Sequence, residues 1–176
     1  IQRVEGNSLP SCGTQITLKP SSSITLNSSS FIGTDKPDSA RLMRYFHNLY
    51  GTFQVSEKIG VTVGFDCGWE NKDINGSGTN SWYSPVVIVR AAINDKLAIS
   101  ARGEYYADEH GVIIATGTPN GFKTGGFSLN LDYLLFPAAL WRLEARNFIS
   151  KDEIFAHKDK QVDNNTFVST SLAISF

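Results

Sequence analysis

The chain is short of the features that mark several common classes of protein. Of its 176 residues, 19% are charged and 41% are hydrophobic, whereas ordinary soluble domains have about 25% and roughly 45–50%. Its net charge is -1, which argues against nucleic acid as its main partner, because nucleic-acid-binding proteins normally have a basic stripe. No run of about 18 apolar residues occurs, which excludes a transmembrane helix. A transmembrane β-barrel stays open, because its hydropathy signal is weak in each segment.

Side chains suited to catalysis or metal binding are few and scattered. Cys12 and Cys67 are too few for a disulfide framework or a zinc site, although a single disulfide between them stays open. The three histidines show neither metal spacing nor a catalytic triad. The loop 73–79 resembles a calcium loop but lacks the bidentate Glu that such a loop needs. We therefore expect no enzyme activity, no metal and no cofactor.

Helical periodicity is nearly absent, and alternation with a period of two residues predicts β-strands instead. The predicted strands are longer than the usual 5–6 residues. They match the roughly 9–11 residues that cross a bilayer at a tilt. We predict nine strands, at about Ser11–Lys19, Ser23–Gly33, Leu42–Ser56, Ile59–Glu70, Trp82–Asn94, Leu97–Ala107, Phe122–Phe136, Ala139–Ser150 and Thr166–Phe176.

The connections between these strands alternate strictly between short and long. Glu57-Lys58 and Asp95-Lys96 are examples of the short connections, and Asp108–Gly121 and Lys151–Asn165 are examples of the long ones. This alternation predicts an up-and-down meander with one tight end and one loop-rich end. Outer-membrane barrels have this asymmetry, with short periplasmic turns and long external loops.

Alternation defines an apolar face and a charged face, but it does not decide which face is inside. A soluble barrel would bury the apolar face, whereas a membrane barrel would turn it to lipid. Phe176 favours the membrane, because a C-terminal Phe in phase with the apolar face is typical of outer-membrane sorting marks. Aromatic residues near strand ends also fit membrane interfaces; they are Tyr50, Trp69, Trp82, Tyr83, Tyr105, Tyr106, Phe136 and Phe148.

The charged face is the candidate functional surface. Arg and carboxylate side chains on neighbouring strands fit a wet but confined lumen, because bidentate pairs hold their geometry. Opposed rows of them set a transverse field that small hydrated solutes would cross. The alternative is a structural network that plugs a small barrel. The residues predicted to line the lumen are Arg44, Asp66, Glu70, Arg90, Arg102, Glu104, Asp132, Arg142, Glu144 and Arg146.

One long loop differs from the others because it contains an apolar run. Val112, Ile113 and Ile114 lie in an otherwise polar segment, and a Thr-Pro-Asn-Gly turn follows them. Such a run predicts that the loop packs, folding into the barrel as a constriction. The alternative is a strand overhang above the membrane.

A resemblance to a known family extends from about residue 13 to the end of the chain. It rests on the segments Phe31–Ser39, Trp82–Val87, Ala101–Tyr106, Gly111–Phe122, Trp141–Phe148 and Asn165–Phe176. These segments resemble the outer-membrane β-barrel (OmpL-like porin) family of Bacteroidetes-type bacteria. The resemblance implies an antiparallel membrane barrel with a porin-like role, and it implies no catalytic or ligand-binding residues.

We therefore predict an all-β protein, an antiparallel up-and-down transmembrane β-barrel of the bacterial outer membrane, with residues 1–176 as a single domain. Nine strands would have to close through a parallel pair, whereas single-chain bacterial barrels have even, antiparallel strand counts. We expect that N-terminal strands are missing and that residues 1–4 are the tail of one. The chain would then be the C-terminal part of a larger even-stranded barrel.

The expected role is passive passage or binding of small hydrated solutes. The expected partners are outer-membrane lipid, lipopolysaccharide, the barrel-assembly machinery through the C-terminal strand, and small solutes, but not nucleic acid. Two alternatives stay open. One is a non-conducting membrane barrel that is a scaffold for partner proteins. The other is a soluble lipocalin-like barrel that binds an apolar ligand.

Overall fold

A computed structural model describes residues 5–176, which form one large antiparallel β-sheet and a small separate hairpin. The large sheet has nine strands in chain order, and the hairpin is inserted before the last of them. The nine strands of the sheet are β1 (Cys12–Ser21), β2 (Ile24–Gly33), β3 (Arg44–Gln54), β4 (Ile59–Asn71), β5 (Thr79–Ala92), β6 (Leu97–Asp108), β7 (Phe122–Phe136), β8 (Ala139–Ser150) and β11 (Asn164–Ile174), and those of the hairpin are β9 (Phe155–His157) and β10 (Lys160–Val162).

The connections of the sheet confirm the predicted meander. Short turns at 22–23, 55–58, 93–96 and 137–138 alternate with long segments at 34–43, 72–78, 109–121 and 151–163. The strands have 10 to 15 residues, which is enough to cross a bilayer at a tilt. The sheet therefore has a short-turn end and a long-loop end.

The pairing register sorts the side chains of the sheet onto two faces. Arg44 lies opposite Glu70 across β3 and β4, and Asp132 lies opposite Arg142 across β7 and β8. In each strand, the residues two, four or six positions from these charged residues lie on the same side of the sheet, which we call the polar face. The residues between them lie on the opposite side, which we call the apolar face. Leu129 is an example of the apolar face, because it pairs with Ala101 and Ala145.

Burial distinguishes the two faces in a way that alternation alone cannot. Phe127 and Leu129, on the apolar face of β7, are 54% and 49% exposed. Their chain neighbour Ser128 is only 2% exposed, and Asp132 on the same polar face is 9% exposed. The polar face is therefore the crowded inner one, and the apolar face points outward. A lipocalin-like barrel needs the opposite arrangement.

Two edges of the sheet are unpaired in the described part of the chain. All residues of β1 and β11 are exposed, and neither strand pairs with a second neighbour among residues 5–176. Eight antiparallel pairings join β1 to β11, so these two edge strands run in the same direction. The sheet is not closed into a barrel within residues 5–176.

Two local features differ from the sequence expectation. The long connection after β8 contains the β9–β10 hairpin, whereas the sequence predicted only a long connection there and no strands. Strand β5 begins at Thr79 rather than at Trp82, because Thr79 pairs with Asn71 of β4. The expected strand tail at residues 1–4 lies outside the described residues. Residues 5–176 contain no helix that is long and apolar enough to cross a membrane.

The apolar run in the middle of β5 has a packing explanation. Val86 belongs to the polar face, because it lies opposite Gly64 of β4 and Glu104 of β6. A Cβ atom at Gly64 would lie 2.9 Å from a Val86 methyl carbon. The valine thus fills space that the neighbouring strand leaves free, which accounts for an apolar side chain on this face.

Candidate functional site

An ion-pair network occupies the middle of the polar face, with Glu104 at its centre. The carboxylate of Glu104 accepts hydrogen bonds from the guanidinium groups of both Arg102 and Arg146. Arg102 precedes Glu104 by two residues on β6, whereas Arg146 reaches it from β8, across β7. Two cations around one carboxylate leave this cluster with a formal charge of +1. The pairing registers of β6 with β7 and of β7 with β8 bring Arg146 close to Glu104, although the two residues are far apart in the sequence.

Two further ion pairs hold the polar face toward its ends. Arg142 donates to both carboxylate oxygens of Asp132, at 2.6 and 2.9 Å, in the bidentate geometry that Arg favours. Arg44 donates to Glu70 at 2.6 and 3.0 Å and to Asp35 at 3.0 Å. The first pair lies near the short-turn end of the sheet, and the second lies at the long-loop end.

All ten predicted polar residues lie on the polar face, but they do not form one continuous network. Asp66 accepts a hydrogen bond from Asn48 rather than from an arginine. Arg90 and Glu144 have no ion-pair partner within 4.0 Å among residues 5–176. Among the described residues, the polar face therefore combines ion pairs with three charges that have no ion-pair partner, those of Asp66, Arg90 and Glu144.

Aromatic residues on the polar face were missed by the sequence analysis. Trp82 is 4% exposed and covers Gly68, where a Cβ atom would lie 2.1 Å from the indole ring. Phe148 lies under the guanidinium of Arg146, 4.5 Å from the ring centroid. Tyr50 and Tyr106 also belong to this face. The expected placement of these four residues in outward aromatic girdles is therefore wrong, and the glycine at position 68 is the signal that could have revealed Trp82.

The other aromatics confirm part of that expectation. Trp69, Tyr83 and Tyr105 lie on the apolar face near the long-loop end of the sheet. Trp69 stacks on Tyr45 with centroids 5.6 Å apart, and Tyr83 lies 6.1 Å from Tyr105. These rings form an outward row across β3 to β6, which is the arrangement of an interfacial belt.

The loop 109–121 is held over the polar face by a single carboxylate. Asp108, the last residue of β6, is fully buried and accepts hydrogen bonds from the backbone N–H groups of Val112, Ile113 and Ile114 at 2.8, 2.7 and 2.9 Å. Asp108 belongs to the polar face, because it follows Glu104 at even spacing. The apolar run is therefore tied to the inner side of the sheet rather than extending β6.

A second carboxylate joins this loop to the next one. Asp152 accepts hydrogen bonds from the backbone and side-chain nitrogens of Asn120, at 2.9 and 2.7 Å. These hydrogen bonds lower the pKa of Asp152 below its usual 3.8. The hairpin beyond Asp152 also turns inward, because Phe155 of β9 stacks on Phe148 with centroids 6.3 Å apart. Two of the long connections thus meet above the polar face.

Carboxylates hold the other two long connections as well. Asp38 accepts hydrogen bonds from Arg41 and from the backbone of Ser8, and these bonds lower the pKa of Asp38 to about 2. Asp73 accepts bonds from the side chain and backbone of Ser77, which lower the pKa of Asp73. An aspartate carboxylate therefore makes hydrogen bonds in or next to each of the four long connections.

The remaining candidate residues form no second site. Cys12 and Cys67 are both free thiols, so the disulfide that the sequence left open is absent. Within residues 5–176, no group of three or more His, Cys, Asp or Glu side chains is placed to hold a metal ion. Phe176 is fully exposed, two residues beyond the end of β11.

An exposed apolar face, a crowded charged face and a meander of long strands together define a porin-like outer-membrane β-barrel. Residues 1–176 match the family model described as "Putative beta-barrel porin-2, OmpL-like", and the chain belongs to this family.

The chain is also similar to a solved porin structure. The NanC porin, solved in a rhombohedral crystal form, is similar with a TM-score of 0.62 and 10% identity, over 94% of this chain and 78% of the porin. At that identity the likeness shows the fold alone. No curated protein matches the chain.

Proposed function

We propose that the protein forms a passive pore for small hydrated solutes in the bacterial outer membrane, with the polar face as its lumen. The observation that carries this proposal is the inversion of burial: the charged face is crowded and the apolar face is exposed. The pore involves no chemical reaction on the solute. The lumen-lining residues of this proposal are Arg44, Asp66, Glu70, Arg90, Arg102, Glu104, Asp132, Arg142, Glu144 and Arg146.

The loop 109–121 would narrow this pore. The proposal is supported by the attachment of Val112, Ile113 and Ile114 to the buried carboxylate of Asp108. Gly121 helps the loop turn back, since its φ is +63° and a Cβ atom there would lie 2.3 Å from the Glu109 carbonyl oxygen. An apolar constriction attached to a polar wall would limit the size of the solute that passes.

At least one further strand would complete the barrel. A direct pairing of β1 with β11 would be parallel, whereas bacterial single-chain barrels are antiparallel throughout. A second copy of the chain could not provide an antiparallel partner. In one membrane, the edge strands β1 and β11 of both copies would all run in the same direction. We therefore propose a strand of opposite direction between β1 and β11, preceding β1 in the chain, as part of a larger barrel.

The apolar face would contact membrane lipid, with lipopolysaccharide in the outer leaflet at the long-loop end. The outward row formed by Tyr45, Trp69, Tyr83 and Tyr105 is suited to that interface. Phe176 would be recognised by the barrel-assembly machinery, together with the alternating strand β11.

Conductance in planar lipid bilayers tests the pore directly. Purified full-length protein should insert and give stepwise, voltage-tolerant ionic current. A variant that lacks residues 112–114 tests the constriction. Its unit conductance should be higher than that of the wild type, because the apolar run that would narrow the pore is removed. Folded protein that inserts without any current would instead indicate a scaffold barrel that presents its long loops to partner proteins.

A further inference from the structure

Arg90 differs from the other arginines of the polar face. Arg44, Arg102, Arg142 and Arg146 each form an ion pair with a carboxylate on that face. Arg90 has no such partner within 4.0 Å among the described residues, and the nearby carboxylate of Asp132 is engaged by Arg142 in bidentate geometry. The positive charge of Arg90 is therefore available to a ligand.

The sheet leaves space beside Arg90 near its short-turn end. The register places Arg90 between Gly60 of β4 and Ser100 of β6, so that one neighbour has no side chain and the other has a small hydroxyl. A pocket of about 330 Å³ opens on this side of Arg90. Its polar lining consists mainly of hydroxyl and amide groups, including Thr25, Thr52, Gln54, Thr62 and Ser100.

The charge of this pocket has one sign. Among residues 5–176, its lining contains Arg90 but no aspartate or glutamate. On the other side of Arg90, a larger pocket of about 630 Å³ contains three carboxylates, Glu57, Asp95 and Asp132, together with Lys58 and Lys96. The formal charges of that larger lining cancel, whereas Arg90 is the one charged residue in the described lining of the hydroxyl-lined pocket. The hydroxyl-lined side is the one that suits a negatively charged group.

We infer that Arg90 and the surrounding hydroxyl groups form a binding site for a small oxyanion, such as a phosphate or carboxylate group. A guanidinium presents a planar fork of N–H donors that matches such groups, and threonine and serine hydroxyls can donate to the remaining oxygens. The site lies near the short-turn end of the polar face. A role for this site in the passage of a solute rests on the proposed function. Binding of the oxyanion itself does not require a conducting pore.

Phosphorus-31 NMR of inorganic phosphate tests the site on folded, detergent-solubilised full-length protein. Fast exchange with the site should broaden the phosphate resonance in proportion to protein concentration. Arg90→Gln should weaken binding about tenfold or more, because it removes the charge-assisted hydrogen bonds. Arg90→Lys should restore part of the binding, since it keeps the charge without the fork.

A matched control separates this site from general electrostatic attraction. Arg41→Gln removes the same charge from the long-loop end, where Arg41 pairs with Asp38, and should leave phosphate binding unchanged. No broadening by the wild type, or equal broadening by Arg90→Gln, overturns the site. Phosphate binding that depends on Arg90 in a barrel without conductance would overturn the pore and leave the site intact.

Discussion

At the scale of single residues, the environment of each face decides which substitutions are tolerated. Leu129 lies at the middle of β7 on the apolar face, and half of it is exposed. If this side chain faced water, each Å² of its exposed apolar surface would cost about 25 cal/mol of free energy. The same exposure is favourable in hydrocarbon. Residues on the apolar face therefore depend on lipid as their solvent.

Leu129→Arg should destabilise the folded protein by about 2–4 kcal/mol, because it places a charge near the bilayer midplane. The measurement is reversible urea unfolding in lipid vesicles, followed by tryptophan fluorescence. Asn130→Arg is the matched control, since Asn130 lies next in sequence on the polar face, opposite Glu144. An equal loss of stability in both variants would contradict the assignment of the faces.

The carboxylate of Glu104 forms ion pairs with two arginines of the polar face, Arg102 and Arg146. Glu104→Gln would leave Arg102 and Arg146 without their anion, and we expect a loss of about 1.5–3 kcal/mol in the free energy of unfolding. Glu144→Gln removes the same charge from a residue without an ion pair and should change the stability by less than about 0.5 kcal/mol. Comparable losses in both variants would mean that the Glu104 network contributes nothing specific.

The sequence predicted the charged residues of the polar face well, because strand alternation places every second side chain on one side. It did not predict their partners. Arg146 and Glu104 are separated by 42 residues and meet only through the register of β6, β7 and β8. The sequence also placed Trp82 at a membrane interface, because it lies near a strand end. Strand propensity alone cannot show that Trp82 covers Gly68 on the neighbouring strand.

At the scale of elements, the long loops are ordered by carboxylates rather than by apolar cores. Asp108 and Asp152 together fix both ends of the segment 109–121 and join it to the hairpin region. The nine strands and their alternation of turns follow from the sequence, because period and spacing are local properties. The β9–β10 hairpin does not, since its strands have three residues each.

The contact between Asn120 and Asp152 should make this loop sensitive to acid. The pKa of Asp152 is lowered in the folded protein, so the contact contributes its full stability above the ordinary value of 3.8. That stability is lost as the pH falls below this value and through the lowered pKa. Hydrogen exchange of peptides from 109–121, corrected for intrinsic rates, should therefore accelerate only in that acidic range.

Asp152→Asn isolates this contact from the other loop carboxylates, because Asp38 and Asp73 also have lowered pKa values. The variant should show rapid exchange of the loop at neutral pH as well as in acid. Protection that is identical in the variant and the wild type would mean that Asp152 does not hold the loop.

At the scale of the whole molecule, the nine-stranded sheet is open between β1 and β11 within residues 5–176. Closure removes the exposed edges of β1 and β11, which otherwise offer unpaired backbone groups to other chains. Full-length protein that closes into a barrel should migrate faster in SDS before boiling than after it. Unshifted mobility, with the protein in the soluble fraction, would contradict a closed membrane barrel.

The orientation of the two faces distinguishes a membrane barrel, with its apolar face toward lipid, from a soluble one. It is tested by placing single cysteines at Leu129→Cys and Asn130→Cys after replacing Cys12 and Cys67 with serine, and labelling them with bimane in vesicles. We predict that nitroxide lipids quench the label at 129 but not at 130, and that aqueous iodide quenches only the label at 130. Lipid quenching at 130, or none at 129, would contradict the account.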